Sequence, residues 1–68
     1  MNKIKIDTEI IKLDAFLKWA AIVSSGAEAK LYIQDGLVKV NDEVCTQRGK
    51  KLRVGDIIEF EDSQFEII

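Results

Sequence analysis

Lys3, Ile4, Lys5 and Ile6 alternate charged and apolar side chains, the two-residue period of a short strand with one buried face. Asp7 and Thr8 break that pattern. From Leu13 the period lengthens: Leu13, Phe16, Leu17, Ala20 and Val23 recur three or four apart, which predicts a first helix from residue 10 or 12 to residue 23. Asp14 and Lys18 lie opposite that stripe, four residues apart, a spacing suited to a surface ion pair. Ser24 and Ser25 interrupt the helix. Ser25-Gly26-Ala27-Glu28 fits a capping box, in which the serine hydroxyl accepts from an amide of the first turn and the glutamate reaches back. A second helix is therefore expected over 26–34, ended at Asp35-Gly36, because glycine tolerates the left-handed backbone just past a helix.

Beyond Gly36 the two-residue period returns. Strands are predicted over 37–40 and 43–46, joined by Asn41-Asp42 as a two-residue turn. A polar loop over 47–51 and a turn at Gly55-Asp56 follow, then strands over 57–60 and 64–68 around Glu61-Asp62-Ser63. The expected fold is α+β, with two helices packed on a small, mostly antiparallel sheet of about four to five strands. With 68 residues, 47% of them apolar, the chain has room for one thin core, so residues 1–68 are read as a single domain.

Charge changes the picture. The net charge of -2 conceals an asymmetry, because all 10 lysines and arginines lie within residues 1–54 and only acids follow. Arg48, Lys50, Lys51 and Arg53 fall within six residues, with no acid between Val44 and Val54, so the local field there attracts anions although the whole chain is acidic. Other chemistries lack their parts. There is no histidine, and the lone Cys45 sits in a strand pattern with no base to activate it, which leaves no metal cluster or nucleophile to assemble and no cofactor to expect. No apolar run approaches the roughly 20 residues of a membrane span, and a cytoplasmic protein without membrane contact is expected.

The succession of helix, capped helix, glycine, strand, asparagine turn, strand, basic loop and Gly-Asp resembles the RNA-binding domain of ribosomal protein S-four, the αL motif. The matching residues are Lys12-Leu13-Asp14 and Leu17, then Ser25, Ala29-Lys30 and Ile33, then Gly36, Val38-Lys39-Val40-Asn41 and Val54-Gly55-Asp56, a core of about residues 12–60. Ser25-Gly26-Ala27-Glu28-Ala29-Lys30 and Arg48-Gly49-Lys50-Lys51-Leu52-Arg53-Val54-Gly55-Asp56 look most like the short stand-alone bacterial members of the YaaA type. The resemblance implies a non-enzymatic module for structured RNA, ribosomal RNA above all. A monomer is expected, acting alone or beside a ribosome-associated protein partner.

On that reading Arg48 and Arg53 are the leading contacts, since a guanidinium fork matches phosphate oxygens, and Lys50 and Lys51 add point charges. The resemblance also turns Lys30 and Lys12 toward RNA. Ser25 and Gly26 stand at the start of the second helix, where free amides attract anions, although Glu28 competes for the same field. Gly26 and Ala21 replace bases found in relatives, which thins the basic face. Trp19, on the edge of the apolar stripe, could stack on an unpaired base or close the rim of the core, and is read as closing the rim. The acids from Asp56 to Glu66 are expected on the face turned away from RNA. The competing reading is a protein-interaction adaptor that docks an acidic partner on the same loop.

Overall fold

The computed structural model describes residues 1–68 and orders the elements as β1 (Asn2–Ile4), β2 (Ile11–Lys12), α1 (Leu13–Trp19), α2 (Gly26–Gln34), β3 (Val38–Val40), β4 (Glu43–Val44), β5 (Lys51–Leu52), β6 (Ile57–Phe60) and β7 (Ser63–Ile67). Five strands form one sheet in the order β1-β7-β6-β3-β4. Every pairing in it is antiparallel except that of β1 with β7. The α+β expectation therefore holds. The residues had not announced a separate two-stranded ribbon of β2 and β5, in which Ile11 opposes Leu52 and Lys12 opposes Lys51. No helix is long and apolar enough to cross a membrane.

The two-residue period explains the sheet's inner face. Val38 and Val40 are buried around an exposed Lys39, and Ile58 and Phe60 are buried in the neighbouring strand. Against them pack Leu13, Phe16 and Leu17 from α1 and Ala29 and Ile33 from α2, with Leu52 and Ile67 closing the same cluster. The Tyr32 ring meets Phe60 at a centroid distance of 5.0 Å, which fastens α2 to β6. On the outer face Lys39 lies opposite Glu59, so its charge already has an acidic cross-strand neighbour.

Both hairpins turn through paired residues at positive φ. Asn41 and Asp42 lie at 51° and 71°, as their position between alternating runs predicts, and Glu61 and Asp62 adopt 50° and 62°, a region that Asp62 tolerates and Glu61 does not favour.

The first helix is shorter than its apolar stripe suggests. It ends at Trp19 rather than near Val23, and it begins at Leu13, with Lys12 already extended as its cap residue and as part of β2. Ala21 sits in the left-handed region at φ 58°, its amide donating to the Lys18 carbonyl oxygen (3.0 Å) while that of Ile22 donates to Leu17 (2.9 Å). Those two bonds are the Schellman closure of a helix end. The same closure ends α2, where Gly36 at φ 75° donates to Ile33 and Leu37 to Tyr32. One end has glycine in the strained position and the other has alanine. We expect Ala21→Gly to relieve that strain and stabilise the protein by about 0.5–1 kcal/mol, raising its unfolding midpoint by about 3–6 °C. A midpoint that falls would show that the Ala21 methyl packs favourably enough to outweigh the strain.

Candidate nucleic-acid interface

The basic loop is strapped to the start of α1. A helix leaves its first amides without partners, and Lys12 provides no side-chain cap. Here the loop backbone takes that role: the Leu13 amide donates to the Lys50 carbonyl oxygen (2.9 Å) and the Asp14 amide to that of Arg48 (3.1 Å). A tight turn closed by the Lys50 amide on the Gln47 carbonyl oxygen (3.1 Å) carries Arg48 and Gly49 at its tip. With these carbonyls directed inward and Leu52 fully buried, Arg48, Lys50, Lys51 and Arg53 are all exposed.

The ribbon adds a fifth base. Lys12 and Lys51 are directly opposed across β2 and β5, both exposed, while Ile11 and Leu52 form the neighbouring pair toward the core. Like charges set opposite one another destabilise a strand pair, and no lysine or arginine side chain in the chain takes part in a hydrogen bond that would offset it. A fold that accepts this repulsion gains a concentrated positive field over the loop and the start of α1.

The far end of the loop is pinned by an acid. Asp56 accepts from the Arg53 amide (2.9 Å) with one carboxylate oxygen and from the Asn41 side-chain amide (3.1 Å) with the other. Asn41 in turn accepts from the Ile57 amide (2.9 Å) and donates its own amide to the Ile57 carbonyl oxygen (2.8 Å). This corrects one sequence reading and extends another. Asp56 belongs beneath the basic loop rather than with the acids of the C-terminal hairpin, and Asn41 does more than turn a hairpin, because it couples β3 and β4 to the turn that orients Arg53. Glu59 and Asp62, by contrast, gather with Asn2 and Gln64 beside the β6–β7 turn.

At the start of α2, Ser25 accepts from the Glu28 amide (3.2 Å) as a capping serine should. Glu28 reaches back one residue further than a capping box requires, accepting from the Ser24 amide (3.0 Å). Its carboxylate thus lies at the helix end, where it competes with any external anion. Ser25 and Gly26 are exposed, and Gly26 borders a shallow depression shared with Asp14, Ala15 and Lys18 of α1. Lys30 is exposed one helical turn further along α2, outside the group that the loop bonds draw together.

Two residues were undervalued in the sequence. Lys18 was assigned to an ion pair with Asp14, yet Asp14 turns an oxygen to the Ala15 amide (2.8 Å) and Lys18 lines both depressions along α1. Trp19 does not close the core: it is 52% exposed. Its place at the edge of the apolar stripe was the available signal, blurred because the stripe appeared to continue to Val23.

The description "S4 domain" fits this chain from residue 4 to residue 68, nearly its whole length. The chain belongs to the S4 domain family. Among its relatives is a protein of Bacillus subtilis (strain 168) named "Probable ribosome maturation protein RlbA", 50% identical over 60 residues that cover 88% of this chain and 84% of that protein. The matched S4 region includes every element from β2 to β7, and with them the strapped loop, the Lys12–Lys51 pair and the Asn41–Asp56 pin.

Proposed function

We propose that this S4 domain is a non-enzymatic, cytoplasmic RNA-binding module that seats structured ribosomal RNA on a basic face made by the two helices and the 47–53 loop. The observation that carries the proposal is the convergence of the exposed Lys12, Arg48, Lys50, Lys51 and Arg53 side chains, none of them in a hydrogen bond, around a loop held to α1 by backbone bonds and to Asp56 by its carboxylate. A held loop backbone suits a polyanion of fixed shape, because the positions from which the cations reach need not be assembled on binding. Family membership and the ribosome maturation named for the Bacillus subtilis relative support the choice of ribosomal RNA. The contribution to ribosome maturation is then to hold an RNA fold, with no chemical step.

Binding of the purified protein to structured ribosomal RNA at two salt concentrations tests this. Five phosphate contacts give a log–log salt slope of roughly -4, so affinity should fall by about two orders of magnitude between 50 and 200 mM salt. Failure to bind at the lower concentration would overturn the RNA reading and leave the adaptor that docks an acidic protein.

A further inference from the structure

Trp19 is half exposed at the end of α1, an unusual position for the largest side chain of so small a domain. Its indole nitrogen donates to the Lys5 carbonyl oxygen at 2.8 Å, which ties the segment between β1 and β2 to the helix and fixes the ring's orientation. The ring's single donor is thereby engaged. What it still offers a ligand is its π surface. Beside it lies a shallow depression lined by Ile11, Ala15 and Lys18 as well as Trp19 itself. Lys12, the extended residue that leads into α1, adjoins Ile11 of that depression and adds a second exposed cation.

The occupant suited to this surface is flat, needs no hydrogen bond from the ring, and carries negative charge close by. A cationic ligand is disfavoured by the two lysines, and an aliphatic one makes no use of them. An unpaired nucleotide has both properties in one unit: its base stacks on an aromatic ring whatever its identity, and its phosphates meet neighbouring cations. We propose that Trp19 is a stacking platform for an unpaired base of the bound RNA, with Lys18 and Lys12 contacting the adjoining phosphates. This rests on the RNA-binding reading and sharpens it, since it requires a loop, bulge or end next to the helix that the basic loop holds.

Trp19 is the only tryptophan, so its fluorescence reports the stack directly. The protein is titrated with a fluorescein-labelled RNA hairpin with an unpaired loop and with a fully paired duplex, following RNA anisotropy and tryptophan emission together. We expect emission to be quenched along the hairpin's binding curve and to change little with the duplex. Trp19→Phe and Trp19→Leu both lose the Lys5 bond, but only the first keeps a π face. Phe should therefore retain hairpin affinity within about threefold, and Leu should lose about 10- to 100-fold while its duplex affinity stays near the wild-type value. Binding without quenching, or equal losses in the two variants, would overturn the stacking platform and leave the basic face standing. No anisotropy change with either RNA at low salt would overturn both.

Discussion

Changing Arg48, Lys50, Lys51 and Arg53 together to alanine is expected to weaken binding to structured RNA by about 100-fold or more at low salt, and to reduce the salt slope by about three to four units. The fold should survive. None of the four side chains makes a hydrogen bond, all four are exposed, and the bonds that strap the loop to α1 and to Asp56 run through backbone atoms that alanine retains. Removing Lys51 also removes the like charge opposite Lys12, so the unfolding midpoint should stay within a few degrees of wild type. Lys39→Ala is the matched control: it deletes a positive charge that faces Glu59 on the sheet's outer side, and it should change RNA affinity by less than about threefold. If the fourfold variant binds RNA as tightly as wild type, the loop is not the phosphate clamp.

The largest loss of stability is expected from Leu52→Ala. Leu52 is fully buried between exposed Lys51 and Arg53, the one apolar residue by which the basic segment enters the core. Truncating a buried leucine costs about 2–5 kcal/mol, partly in lost transfer energy and partly in the cavity left behind. A domain of 68 residues has roughly 3–10 kcal/mol in all, so much of the population should unfold near physiological temperature. Leu52→Met keeps the volume and should cost less than about 1.5 kcal/mol. Thermal and urea unfolding of the two variants check this, and RNA binding should fall in step with the folded fraction of Leu52→Ala. A cost below about 1 kcal/mol would mean that the ribbon of β2 and β5 is not an integral part of the core.

The two helix ends show why one was legible and the other was not. Gly36 announces a left-handed residue, and the end of α2 was read correctly from it. At the end of α1 the left-handed position is held by Ala21, whose type carries no such signal, and the apolar stripe runs on through Ile22 and Val23 because those residues pack after the chain has turned. The turn at Glu61-Asp62 was expected from its place between two strands, but Glu61 carries no signal for positive φ; the pairing of Phe60 with Ser63 imposes it.

Periodicity and punctuation in the chain were enough for the two helices, the antiparallel strand pairs, the alternation that selects the core face of the sheet, and the concentration of positive charge in one loop. These are local properties, set by neighbours within a few residues. The pairing of Lys12 with Lys51, the capping of α1 by Arg48 and Lys50 carbonyls, the place of Asp56 beneath Arg53 and the exposure of Trp19 were left to packing. Strands of two residues show no period, a backbone carbonyl leaves no trace in residue type, and the exposure of an indole depends on where the segment before it runs. Charge type was written in the residues, but the face on which those charges meet came from contacts between segments far apart along the chain.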